Sequence, residues 1–268
     1  MQLTETIIIN KGSKYYKECE RLTHLSKNLY NAALYTIRQE YIKNKKYLNF
    51  YALNNLFVKD KNIDYYALPA KVSQQTLKLV DQNFKSFFKL LKLKIAGKYT
   101  DPVKLPKYLN KAGHQVVIYT NQAISKKELK KHKIKLSGSS IINLTIRKTI
   151  NNINQIRIVK HDTTNTFNIE IVYTVQEEKL LSDNKRYAAI DIGVNNLATV
   201  SSNVLKPFII NGKPLKSINQ YFNKNASILK SKNKIKTNKY RSLCKKHKNK
   251  INDYLHKASR YIINQLVS

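Results

Sequence analysis

The chain has 268 residues with 50 Lys+Arg against 16 Asp+Glu, a formal net charge of +34 at pH 7 and a pI near 10.0. With 42% hydrophobic and 10% aromatic residues it can bury a core, which excludes an acidic solvating protein and a wholly disordered basic tail. A surface this positive repels itself and calls for a polyanion, nucleic acid before an anionic membrane. AT-rich coding explains Lys over Arg but not Lys over Glu, so the deficit of acids is the informative part. MQLTETIII lacks the basic and apolar regions of a secretory signal, and no run of about 18 apolar residues is present. The expectation is a soluble, cytoplasmic protein with no membrane partner. Cys19 and Cys244 lie far apart without CxxC partners, so no zinc site is expected and both read as unreactive thiols.

In chain order, the β-branched stretch Thr4–Ile9 reads as a strand. Apolar residues then recur at helical spacing through Tyr15, Leu22, Leu25, Leu29, Ala33, Ile37 and Tyr41. A shorter helix is expected over Phe50–Val58, and after Pro69 a third through Val72, Leu77, Val80, Phe84, Phe87, Phe88 and Leu91. The aromatic stripe Tyr15, Tyr30, Phe84, Phe87 and Phe88 reads as core rather than as a base-stacking surface. Beyond Pro102 and Pro106 the pattern turns to short strands: Val116–Thr120, Lys133–Leu136, Ile141–Ile146, Gln155–Val159 and Phe167–Val175. The last alternates with period two except at Val172. A small antiparallel β-barrel with a helical insertion follows, because the first strand precedes the helices.

From Arg186 a third region begins. Tyr187–Ile192 is an apolar strand carrying Asp191, followed by a turn at Gly193–Asn196 and strands at Leu197–Ser201 and Pro207–Ile210. Asn211–Gly212 reads as a turn, Pro214 as the first turn of a helix, and the rest as helical almost to the end. The last helix carries Ile251, Tyr254, Leu255, Ala258, Ile262 and Leu266 on one face. Within AAIDIGVNNLATV, Asp191 is either a metal ligand, since a carboxylate in an apolar strand is costly without compensation, or an acid that caps a turn or pairs with a Lys. A two-metal nuclease holds its cations with three or four carboxylates.

RYAAIDIGVNNLATVSSN (186–203) and KPFIINGKPLKSINQYFNK (206–224) resemble the first RuvC motif of the TnpB family, the OrfB proteins of bacterial insertion sequences. These are RNA-guided DNA endonucleases related to the type V CRISPR effectors. YYALPAKVSQQTLKLVDQNFKSFF (65–88) resembles the family's N-terminal helical region, LPKY (105–108) and TNQAISKKELKK (120–131) its middle, and NKINDYLHKASRYIINQLVS (249–268) the helix after the first RuvC strands. The resemblance implies an α+β chain. Residues 1–11 and 97–185 would form an oligonucleotide-binding-like barrel, 12–96 a helical insertion, and 186–268 the first part of an incomplete ribonuclease-H-like (RuvC) domain.

The resemblance also implies that Asp191 is the first catalytic aspartate and a ligand of Mg2+. The family's further acids and its four-cysteine zinc ribbon lie beyond the helix that here ends at Ser268. After Asp191 the sequence holds one more acid, Asp253, in a basic helix, where it reads as a solvated residue. The expectation is a C-terminally truncated member that binds DNA and guide RNA without cleaving, unless a separate C-terminal fragment supplies the other acids. A nuclease-dead RNA-guided repressor and a nonspecific basic DNA-binding protein are the alternatives. Residues 201–268 hold 14 Lys and 2 Arg against one Asp, a net +15. The candidate phosphate contacts there are Lys213, Lys216, Lys224, Lys230, Lys232, Lys234, Lys236, Arg241, Lys245 and Lys246. A second cluster comprises Lys126, Lys127, Lys130 and Lys131, with Lys133 and Lys135 beside them. An incomplete sheet would leave an unpaired edge and a poorly stable C-terminal region.

Overall fold

A computed structural model describes residues 1–139, 142–147, 150, 152–176, 183–235 and 237–267. The chain divides into two units, Met1–Glu177 and Glu178–Ser268. The first contains β1 (Gln2–Ile9), α1 (Tyr16–Asn44), α2 (Phe50–Lys59), α3 (Ile63–Tyr66), α4 (Ala70–Ile95), β2 (Val117–Thr120), α5 (Lys126–Leu129), β3 (Lys133–Lys135), β4 (Asn143–Thr145), β5 (Ile153–His161) and β6 (Thr166–Thr174). The second contains β7 (Ala188–Ile192), β8 (Asn196–Ser202), β9 (Phe208–Asn211), α6 (Lys213–Ser231) and α7 (Asn238–Val267). Strands and helices are both plentiful and every strand pair is antiparallel, an α+β architecture.

Helix α1 forms where the apolar stripe predicts it and buries Cys19, Leu22, Leu29, Ala33, Leu34 and Ile37 completely. It stops at Lys45, whose φ of 52° leaves the right-handed helix while its N–H returns to the Glu40 carbonyl. Helix α4 follows Pro69 and buries Val72, Leu77, Val80 and Phe84. It ends at Gly97, which takes φ +70° so that Lys98 N reaches the Leu93 carbonyl at 2.9 Å. The aromatic stripe is core: Tyr30 and Phe84 are buried, and Tyr15, Phe87 and Phe88 pack against the same cluster. Tyr41, Tyr47, Phe84, Phe87 and Phe88 meet mostly edge-to-face.

Buried polar groups lock the helices to one another and to the segment after α4. The Asp81 carboxylate on α4 accepts from the Tyr47 hydroxyl, from Phe50 N at 3.1 Å and from Lys85 Nζ at 2.6 Å, which fixes the start of α2. The Asn31 amide donates to the Leu109 carbonyl and accepts from Leu109 N, both at 2.9 Å, as a neighbouring strand would. It thereby pins the extended chain that leads to β2.

The four-stranded sheet runs β1-β6-β5-β2. Ile7, Ile169, Ile158 and Val117 form one row across it, and the last three are fully buried. Since β1 precedes the four helices and pairs with β6, helices α1–α4 lie between strands of one sheet in sequence. Val172, the break in the alternation of β6, is buried, so the strand is covered on both faces at that end.

The expected barrel does not close among the described residues. Strands β3 and β4, three residues each, pair with one another and not with the sheet, joined to the preceding loop by a bridge between Ile124 and Leu136. Ile141, the first residue of the expected strand at 141–146, lies outside the described residues.

The second unit is a three-stranded meander, β7-β8-β9, with helices α6 and α7. The helical run expected from Leu215 onward is interrupted. Asn233 adopts φ 52°, Lys234 N returns to the Leu229 carbonyl at 2.8 Å, and Thr237 Oγ1 accepts from Tyr240 N at 3.4 Å. Helices α6 and α7 then run antiparallel. No described helix is long and apolar enough to cross a membrane.

Candidate functional site

Strand β7 presents Asp191 opposite Thr199, which in turn lies opposite Ile209 on β9. These three residues share one face of the meander. Ile190 and Ile192 share the other with Val200 and Ala198. Val200 and Ala198 are buried, whereas every residue of β7 is exposed. Asp191 is therefore not an acid forced into an apolar environment. Its carboxylate stands in solvent and carries no burial cost, which corrects the reasoning drawn from the apolar string around it.

The turn after β7 is held firmly. Gly212 N donates to the Asn195 carbonyl at 2.8 Å, and the Lys216 ammonium reaches the Asn195 side-chain oxygen. A Cβ at Gly212 would collide with the carbonyls of Val194 and Asn195, so the close approach requires glycine. Lys213 N donates to Asn211 Oδ1 at 2.9 Å, and the Tyr254 hydroxyl of α7 donates to the Asn211 carbonyl. The turn after β7, the end of β9, the start of α6 and the middle of α7 are thus tied at one corner of the unit.

The donor set around Asp191 does not fit a two-metal centre. Among the described residues no three His, Cys, Asp or Glu side chains come together. Asp253 pairs with Lys257 at 2.8 Å on an exposed turn of α7. Glu170 is committed to Arg157 at 2.9 Å across the sheet of the first unit. Asp183 caps its own turn by accepting from Lys185 N and the Tyr187 hydroxyl, while Glu177 and Glu178 lie outside the described residues. Cys19 is fully buried, and that burial pushes its thiol up to about 12; Cys244 is buried as well.

The basic candidates fall into groups. Lys126 and Lys127 on α5, with Lys130 and Lys131 just after it, are all exposed. Lys133 and Lys135 are also exposed, alternating with buried Ile134 along β3. In the second unit Lys213, Lys216, Lys224 and Lys230 are exposed along α6, and Lys232 and Lys234 in the connection. On α7 Lys246 is exposed, whereas Arg241 and Lys245 are half-buried. Lys236 lies outside the described residues.

A feature not singled out from the sequence lies between α6 and α7, a cleft of about 610 Å³. Phe222 stacks on His247 with ring centroids 4.0 Å apart and an interplanar angle of 19°, and His247 Nε2 meets Asn219 Oδ1 at 2.8 Å. Burial holds the His247 imidazole below the ordinary histidine pKa. Tyr221, Lys239, Lys246 and Lys250 also line the cleft. The sequence signal was the i, i+7, i+11 spacing of the three lysines, hidden within a run where lysine is everywhere.

Residues 170–268 match the family described as OrfB_IS605, probable transposase. No curated protein matches the chain. Among solved structures, the chain is similar to a Cas12f1–sgRNA–target DNA complex, at 14% identity over 99% of this chain and 70% of that one, with a TM-score of 0.34. It is also similar to a CRISPR–Cas12f ternary complex, at 15% identity over 93% of this chain and 60% of that one, with a TM-score of 0.35.

Proposed function

Because residues 170–268 match the OrfB_IS605 family, described as probable transposase, we propose that the chain is a TnpB-like RNA-guided DNA endonuclease protein that binds guide RNA and DNA without cutting on its own. In this reading residues 1–11 and 97–185 correspond to the oligonucleotide-binding part, 12–96 to its helical insertion, and 186–268 to the opening of the RuvC-like domain. One observation carries the reading. The family match covers the strand that presents Asp191, yet the described residues gather no group of three or more His, Cys, Asp or Glu side chains around it or elsewhere. In this reading Asp191 is the family's first aspartate, and the lysines around the unit supply its cations.

Chemically, Asp191 on its own offers one exposed carboxylate, able to help hold a divalent cation once further acids are supplied. The exposed lysines of the 126–135 segment and of α6 and α7 supply phosphate contacts that position nucleic acid without reading its sequence. Sequence specificity would come from guide pairing.

The test is purification of the chain followed by RNA extraction, gel-shift titration across salt, and incubation with DNA and Mg2+. The expected result is a defined co-purifying RNA, binding that falls steeply with salt, and intact DNA. Metal-dependent cleavage by the chain alone, lost on Asp191→Ala, overturns the inability to cut. Binding that ignores any guide and carries no defined RNA reduces the chain to a nonspecific basic DNA-binding protein.

A further inference from the structure

We infer that the cleft between α6 and α7 is a seat for an unstacked base of single-stranded nucleic acid, with the flanking phosphates on Lys239, Lys246 and Lys250. The inference rests on the proposal that the chain binds nucleic acid, and names one place where it does so.

The cleft's volume of about 610 Å³ falls within the range of sites that hold a small organic ligand. Its interior is aromatic. The Phe222–His247 stack forms one flat wall, anchored through Asn219. Tyr221 stands beside it with 64% of its surface exposed. A tyrosine that served only to join two helices would be covered by them. Ile228, on the same lining, is 46% exposed, so the two helices leave apolar surface between them unfilled.

The rim decides the class of occupant. Lys239, Lys246 and Lys250 are seven and four residues apart, one stripe of α7 about 16 Å long. All three are exposed, and no carboxylate is among the lining residues. Aromatic faces flanked by cations fit a base and its phosphates, because every base has a π-face and the backbone supplies the anions. A duplex keeps its bases stacked and cannot offer one to a cleft, so the occupant is single-stranded.

The experiment measures binding of the full chain to a fluorescent oligo(dT) of about a dozen nucleotides and to the same strand with abasic residues at its centre. Tyr221→Ala is expected to weaken binding of the base-bearing strand about tenfold, while Tyr221→Phe retains it. Abasic substitution should cost the unaltered chain a similar factor and cost Tyr221→Ala almost nothing. Replacing Lys239, Lys246 and Lys250 with Gln should reduce the slope of log affinity against log salt by about 2. Tyr221 is largely exposed, so circular dichroism should show unchanged helicity in its variants. Equal affinity for base-bearing and abasic strands, or an unchanged affinity in Tyr221→Ala, overturns the inference and leaves the cleft to a peptide. If the unaltered chain binds no oligonucleotide at all, the proposed function fails first.

Discussion

Asp81→Ala tests whether the helical layer of the first unit is held by a buried polar hub as well as by its apolar face. The Asp81 side chain is 5% exposed and serves three donors. Two of them, the Tyr47 hydroxyl and Phe50 N, are part-buried and lose this acceptor on substitution; the Tyr47 hydroxyl keeps a contact with the Asp81 carbonyl at 3.3 Å. Phe50 N, left unsatisfied, costs about 2 kcal/mol, and the Tyr47 hydroxyl, left with its longer bond alone, about 1 kcal/mol. The third, Lys85, is 60% exposed and returns to water, so its share is about 1 kcal/mol at most. The sum is about 4 kcal/mol. For a unit of this size that lowers Tm by about 10 °C. Calorimetry and urea melts of the full chain measure it, and a double-mutant cycle assigns it. Tyr47→Phe should destabilise the unaltered chain and cost clearly less in the Asp81→Ala background, where the carboxylate is gone and only the Asp81 carbonyl remains as acceptor. A total loss under about 1 kcal/mol, or an equal Tyr47→Phe cost in both backgrounds, would refute the hub.

His114 gives a pH dependence. Burial, reinforced by the Lys160 charge, lowers its pKa below 6.5, and its Nδ1 meets Thr23 Oγ1 at 2.9 Å. The unfolded chain therefore takes up the proton first. Its contribution to stability is complete above pH 6.5 and is lost as pH falls from there through the folded value. Urea midpoints measured from about pH 7.5 down to about pH 5 should decline, and His114→Gln should flatten that decline; an unchanged slope in the variant rejects the assignment. Hydrogen exchange should separate the two units. Among the described residues, the buried apolar ones of the second are Ala198, Val200, Ala226, Leu229 and Cys244, whereas the first buries long rows of Leu, Ile and Phe. Amides of β7 and β8 should exchange through openings of much lower free energy than those of β5 and β6, and comparable protection would contradict the burial pattern.

What could be read from the sequence follows from what periodicity measures. Helices α1, α2 and α4 and strands β1, β5 and β6 announce themselves because each buries one face in the same core, and the apolar spacing is the imprint of that burial. Helix α3, four residues long and started by the Asn62 cap on Tyr65 N, has no turn to repeat and leaves no period. The break between α6 and α7 was written in single residues instead, Asn233 for the left-handed conformation and Thr237 for the cap. It was masked by a lysine run that suits a helix and a loop equally well. The expected barrel does not close among the described residues, and the sequence could not tell, since short apolar stretches show where strands form and not which strands they pair with.

The environment of the candidate site was not legible in the sequence, and Asp191 shows why. Its string AAIDI is as apolar as that of a buried strand, yet all five residues of β7 are exposed while Val200, the partner of Ile190, is buried. Hydropathy states what a strand would gain from cover, whereas whether cover exists depends on the other elements. Ile190 and Ile192, at 47% and 77% exposed, have that potential unspent. The cost of burying a charge thus explains nothing about Asp191 as the strand stands, and the fold of these residues gives no reason to place a carboxylate there. The proposed role of Asp191 therefore rests on the family match across this strand and not on the apolar pattern that first drew attention to it.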